Sequence, residues 1–369
     1  MKSLLFGLSL LFSLHSLVCV SAEGETAPLP AEPVEAEPVE EEAVDPLASK
    51  PTERDEAVRL QIYLDQILFG PGFIDGKAGK FTEKSVYAYN RSKGRVPDDW
   101  RSVREEALKE VEEVYATAIV PEIAKKYVNP KLPKSRKLQA KQKQLGYRSY
   151  VEFMAERYHT SEGFLIELNS RKKVWGLKPR GSILVPNVEP FLIEEMVTGR
   201  FHKEETELSD RTVIIDTKSN QLFIYGPGDE SKQSAGAAVL IVDEEGGEAE
   251  HSKLLAVFPI TPGRSQFIHR GEWKVVNCVE FPQWSYDPSF LKTGKRSKDK
   301  SKILRIPGGP NNPVGVVWSG LSKSGIGIHG TSSPRTIGRS VSAGCIRLSN
   351  WDAARFPYLI RPGAKAVIR

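Results

Sequence analysis

The chain has 369 residues, a 40% hydrophobic and 9% aromatic fraction, and a formal net charge of +5. That length is about two or three ordinary domains, and the apolar content suffices for real cores, which excludes global disorder, a collagen-like chain and a polytopic membrane protein. Three cysteines, Cys19, Cys278 and Cys345, cannot form a disulfide scaffold, and no C-x-x-C pair offers a structural zinc site.

In chain order, Lys2, an apolar run from Leu4 to Val20 and the small-residue pattern Val20-Ser21-Ala22 predict a secretory signal peptide over 1–22. The expected destination is beyond the cytoplasmic membrane, in the periplasm or cell wall. Residues 23–53 read as an acidic, Pro/Glu-rich linker: 23–49 hold nine acids, five prolines and no base, and Ala-Glu-Pro-Val-Glu occurs at 31–35 and again at 36–40. Taking Lys2 and those nine acids from the totals of 52 and 47 leaves 51 bases against 38 acids over 50–369. A basic folded part suits an acidic partner. Export and the lack of a base-reading motif favour an anionic extracellular polymer over nucleic acid.

Over 54–97, Leu60, Leu64, Ile67 and Leu68 fall on one helical face, a Gly70-Pro71-Gly72 turn follows, and a second helix is predicted from about Thr82 to Ser92. Two helices framing Ile74-Asp75-Gly76-Lys77-Ala78-Gly79 resemble the small peptidoglycan-binding domain of cell-wall enzymes. Residues 98–150 are expected to form a charged helical connector broken at Pro121, Pro130 and Pro133. Within 151–190, Val151, Met154, Ala155 and Tyr158, then Phe164, Leu165 and Leu168, predict two short helices, and 181–187 a closing strand. This run resembles a LysM glycan-binding module whose opening strand is poorly marked.

From Arg211 the period becomes alternating. Val213/Ile215 and Leu222/Ile224 flank Thr217-Lys218-Ser219-Asn220 and predict a hairpin, with further strands at 237–242, 254–260 and 271–281. A terminal helix is expected to start with Asn350 as its N-cap. The segment 205–369 is therefore predicted as one β-rich domain.

The chemistry concentrates in Gly325-Ile326-Gly327-Ile328-His329-Gly330-Thr331 and Ser342-Ala343-Gly344-Cys345-Ile346-Arg347-Leu348. The first stretch matches G-x-G-x-x-G by letter, but no βαβ unit surrounds it, so no dinucleotide is expected; His-x-x-His metal spacing is absent too. One histidine and one cysteine remain, each in a glycine-framed turn. A cysteine attacks as the thiolate, and an imidazole within reach takes its proton and returns it to a leaving amine. Gly344 permits a close carbonyl approach to the Cys345 N–H, and Arg347 can engage a substrate carboxylate.

Residues 211–369 resemble the catalytic domain of the L,D-transpeptidases (YkuD family) of bacterial cell walls. The resemblance rests on the His-Gly segment, the spacer and the Gly-Cys-Ile-Arg turn. It extends to Pro259-Ile260-Thr261-Pro262-Gly263, Gly271-Glu272-Trp273, Pro282-Gln283-Trp284 and Pro307-Gly308-Gly309-Pro310-Asn311-Asn312-Pro313. It implies Cys345 as acyl-accepting nucleophile, His329 as general base and acid, and the Gly330 carbonyl as the group orienting the imidazole. It also implies that Ser342, Gly344, Arg347 and Thr331 shape the substrate pocket. Where the family has a histidine before Gly-Cys, this chain has Ala343.

The resemblance further implies 3→3 cross-linking of peptidoglycan tetrapeptide stems without metal or organic cofactor. Water or a protein amine could replace the stem amine as acceptor, and a non-catalytic wall-binding protein is the rival from another class. Stem peptides, glycan strands and carbapenem-class inhibitors are the implied partners; oligomeric state is left open. The implied fold class is a multidomain chain in which small α-helical and α+β modules precede a mixed β-sandwich with a terminal helix. Cys278 and Trp318 are read as core, and His159, His202, His251 and His269 as structural or surface residues.

Overall fold

The computed structural model describes residues 45–228, 252–293, 295–340 and 344–369. The expected signal peptide, most of the acidic linker, the strand at 237–242, His251, Ser342 and Ala343 lie outside the described residues.

Helices α1 (Arg54–Gln66), α2 (Lys80–Ser92) and α3 (Trp100–Glu110) lead to strand β1 (Tyr115–Ile119) and the single-turn helices α4 (Ala124–Tyr127) and α5 (Arg136–Gln139). Next come α6 (Tyr150–Arg157), α7 (Glu162–Asn169), α8 (Arg171–Trp175), β2 (Ser182–Pro186) and α9 (Thr206–Ser209). The strand-rich part holds β3 (Thr212–Asp216), β4 (Gln221–Gly228), β5 (Ser252–Pro259), β6 (Gly271–Glu280), β7 (Trp284–Tyr286), α10 (Pro288–Thr293) and β8 (Leu304–Ile306). It closes with β9 (Val317–Leu321), β10 (Gly327–His329), β11 (Ile346–Arg347), α11 (Asn350–Arg355) and β12 (Lys365–Ile368).

Serines set three of the helix starts. Ser149, Ser161 and Ser349 accept the N–H groups of Glu152, Phe164 and Asp352 at 3.0, 3.1 and 3.1 Å, each satisfying a donor that the helix itself leaves open. The cap of the terminal helix thus lies one residue before the expected one: Ser349 caps it, and the side chain of Asn350, the first helical residue, is released for another purpose.

The main sheet, among the described residues, has eight strands in the order β11-β10-β9-β6-β12-β3-β4-β5. The expected two-layered sandwich is instead one mixed sheet, continuous through β6. The first half of β6 pairs with β12 (Trp273↔Ala366) and the second with β9 (Cys278↔Ser319), with a register shift between Val275 and Asn277. A bulge at that point bends the strand and lets one sheet curl over its own core.

The leading segments do not keep cores of their own. Strands β3 to β5 are apolar on both faces, and alternation sends the two sets of side chains to different partners. Val213, Ile215, Leu222 and Phe258 join the core beneath β10 and β12. Ile214, Tyr225, Leu254 and Val257 pack with Val58, Leu60 and Ile62 of α1 and Tyr89 of α2. Phe69 also bridges to Val257, covering the edge of β5.

The stretch 98–150, expected as a helical connector, carries β1, which pairs antiparallel with β2 (Thr117↔Leu184). This strand is the partner that the sequence left unmarked, separated from β2 by more than sixty positions. A buried ion pair fastens α1 to α11: Arg355 grips Asp65 through Nη1–Oδ1 at 3.0 Å and Nη2–Oδ2 at 2.6 Å. His159 Nδ1 lies 3.0 Å from Asp65 Oδ2, and its ring stacks on Trp351 with centroids 5.5 Å apart. Burial, the largest influence on Asp65, pushes its carboxyl up, and Arg355 followed by His159 more than reverses that and holds it below the ordinary range.

Candidate active site

Parallel pairing of β10 with β11 places His329 opposite Arg347 and Ile328 opposite Ile346. Cys345 precedes β11 by one residue, so a segment sixteen positions downstream of the histidine returns beside it. A second clamp holds β11 from its other side: Thr261 N–H donates to the Arg347 carbonyl at 2.9 Å, and Arg347 N–H returns the bond at 3.0 Å. Thr261 belongs to the Pro-Ile-Thr-Pro-Gly run noted in the sequence, which gives that run a positioning task. Close approach continues at Gly263, where a Cβ would lie 2.5 Å from the Gly344 Cα. Gly344 has φ +123°, a conformation that disfavours side chains.

His329 is 4% exposed. Its Nδ1 lies 2.6 Å from the Gly330 carbonyl. A carbonyl only accepts, so Nδ1 carries the proton and the lone pair resides on Nε2, the tautomer a general base requires. Burial pushes the imidazole down to about 4, with Gly330 opposing and Arg347 adding to the shift. Trp318, opposite His329 in the β9–β10 register, stacks on the imidazole with centroids 5.5 Å apart and planes 18° from parallel.

Cys345 is part-buried, and its Sγ lies 3.6 Å from the Gly325 carbonyl. Burial pushes its thiol up, against smaller opposing pulls from the Gly327 backbone and Arg347. Histidine and cysteine are thus both held towards their neutral forms, a resting state of thiol and imidazole rather than an ion pair. Cys278 is fully buried on β6, bonded to Ser319 Oγ at 3.1 Å, and burial raises its thiol to about 11.

Cys345, His329 and Arg347 border one cavity of about 730 Å³, walled by Trp318, Trp284 and Arg296 among others. Arg347 is half-buried; its Nε is shielded from solvent and has no hydrogen-bond partner among the described residues. Of the other expected site residues, Gly330 anchors the imidazole and Gly344 forms the turn into Cys345. Thr331 is 3% exposed and outside the cavity lining; its Oγ1 accepts the Ser333 N–H at 3.3 Å. Ser342 lies outside the described residues. Trp318, expected in the core, is a wall of the cavity, and β-pairing with the histidine strand is what puts it there. Among the described residues, no group of three His, Cys, Asp or Glu side chains could hold a metal ion.

Residues 210–368 match the family model of the L,D-transpeptidase catalytic domain, YkuD. Two curated relatives that carry the L,D-transpeptidase name are similar over shorter spans. YkuD of Bacillus subtilis (strain 168) is 44% identical over 66 residues, 18% of this chain and 40% of the relative. ErfK/SrfK of Escherichia coli (strain K12) is 33% identical over 103 residues, 27% of this chain and 33% of the relative. The chain therefore spans two fifths or less of the length of these two relatives. Among solved structures, an L,D-transpeptidase from Mycobacterium smegmatis aligns over 52% of this chain and 75% of its own, with 13% identity and a TM-score of 0.29.

Proposed function

We propose that this chain is a secreted peptidoglycan L,D-transpeptidase that forms 3→3 cross-links through a Cys345 acyl-thioester. The observation that carries the reading is the convergence of Cys345, His329 and Arg347 on one cavity, within the segment that matches the L,D-transpeptidase catalytic domain. In the proposed reaction Cys345 Sγ attacks the carbonyl of the third residue of a tetrapeptide stem while His329 Nε2 takes the thiol proton. The neutral resting pair fits this order of events, because proton transfer then accompanies attack instead of preceding it. The Cys345 N–H holds the developing oxyanion. As the C–N bond breaks, the proton on Nε2 passes to the leaving amine of the terminal D-residue. The side-chain amine of a second stem then attacks the thioester and restores the thiol. Arg347, in this reading, receives the donor's carboxylate.

Muropeptide analysis of wall material treated with the protein tests the whole proposal. Wild-type protein is expected to convert tetrapeptide stems to 3→3 dimers, and Cys345→Ala to convert none. Release of the terminal residue without dimers would assign the acceptor as water. A carbapenem is expected to leave one covalent adduct, on Cys345 and not on Cys278, because the latter is buried and its thiol stays protonated. An adduct on Cys278, or equal turnover by Cys345→Ala, would overturn the assignment.

A further inference from the structure

The Gly330 backbone, whose carbonyl orients His329, packs against Asn350, and Asn350 is bonded in turn to a residue outside the matched domain. A Cβ on Gly330 would lie 2.4 Å from Asn350 Oδ1, so the amide of Asn350 rests directly against this backbone. Asn350 Oδ1 accepts the N–H of Val316 at 3.2 Å, and Gly330 N–H donates to the Val317 carbonyl, so the amide and the glycine bond adjacent residues where the chain enters β9. The other end of the amide is fixed too. Nδ2 donates to both carboxyl oxygens of Glu156 at 3.0 Å and to the Pro310 carbonyl at 3.2 Å. Tyr147 donates its hydroxyl to Glu156 Oε2 at 2.9 Å.

All three side chains are buried: Tyr147 is 1%, Glu156 5% and Asn350 0% exposed. Burial raises the Glu156 carboxyl to about 8. A buried carboxyl is costly unless its hydrogen bonds are satisfied, and here Asn350 and Tyr147 satisfy them. Here it spans two parts of the chain, since α6 supplies the carboxyl and the first residue of α11 the amide.

We infer that Glu156 and Asn350 are positioning residues for His329: the carboxyl fixes the Asn350 amide, and the amide packs against the Gly330 backbone whose carbonyl sets the imidazole's tautomer and angle. The inference rests on His329 acting as the base proposed above. It makes α6 part of the working site, although it lies far from Cys345 in sequence and outside the residues matched to the catalytic domain.

The test compares Glu156→Ala, Glu156→Gln and Tyr147→Phe in the full chain. The imidazole ¹⁵N shifts of His329 read the tautomer directly and need no turnover. Wild type is expected to show the Nδ1–H form and Glu156→Ala a mixture of tautomers. Turnover of a tetrapeptide stem should then fall about 10- to 100-fold in kcat with KM within about twofold, the size of loss seen when a positioned group drifts. Glu156→Gln, whose amide oxygen still accepts from Asn350, should restore both readouts. A folded Glu156→Ala protein with the wild-type tautomer and kcat within about twofold of wild type would overturn the inference. If Glu156→Ala does not fold, Tyr147→Phe decides: it removes one hydroxyl and should lower kcat about fivefold, and an unchanged kcat and tautomer count against the chain of contacts. Wild-type protein that turns over no stem defeats the functional proposal, while the ¹⁵N readout still decides the positioning.

Discussion

Replacing Asp65 by Asn should reveal how firmly the leading helices are bound to the sheet. The Asp65 side chain is 1% exposed and accepts two bonds from Arg355 and one from His159. Asn keeps the volume and removes the charge, leaving the Arg355 guanidinium without its main partner. Breaking a buried pair in this way costs about 3–5 kcal/mol. Arg355 is 23% exposed and retains Asp352 at 3.7 Å, which favours the lower end, about 3 kcal/mol. Urea denaturation followed by tryptophan fluorescence is a suitable assay, because Trp351 stacks on His159 at the junction. The expected result is one transition at a lower midpoint.

The sign with pH follows from Asp65's depressed carboxyl. Its contribution is present above the ordinary carboxylate range and lost as the pH falls through and below that range, so the Asn variant should lose less stability on acidification than wild type. Adding Arg355→Met to the variant removes the uncompensated cation and should recover part of the loss. A loss under about 1 kcal/mol, the value of an exposed pair, would refute the argument. So would two separate transitions with the later one unmoved, since that would mean independent domains.

Further outcomes follow from the site's geometry. Carbapenem acylation of Cys345 needs neutral His329, and burial lowers that imidazole to about 4, so the rate should hold steady down to about pH 5 and halve near pH 4; a midpoint near the ordinary histidine value would show that the ring is solvated. Gly263→Ala places a Cβ 2.5 Å from the Gly344 Cα and must displace the turn into Cys345. Its acylation rate should fall about 100-fold, measured by adduct formation in a mass spectrometer, and a wild-type rate would show that the turn yields freely.

Local pattern carried a good part of this protein. The alternation of Val213/Ile215 and Leu222/Ile224 announced the β3–β4 hairpin, the apolar spacing at Leu60 and Leu64 announced α1, and the glycine-framed turns at His329 and Cys345 singled out two residues that border one cavity, all of them properties of short windows in which one residue's role depends on its near neighbours.

What the tertiary structure alone decided depends on residues distant in sequence. Nothing within 115–119 marks it as the partner of 182–186, because its pairing is settled by the strand it meets and not by its own period. The alternation of β3 and β4 was visible, but not that α1 and α2 would cover the sheet's other face and so lose a core of their own. Trp318 became a wall of the cavity through its register with His329. Glu156 and Asn350, buried polar residues on separate helices, met only because each satisfies the other's hydrogen bonds where water is excluded, a condition that exists once the chain has folded and at no earlier stage.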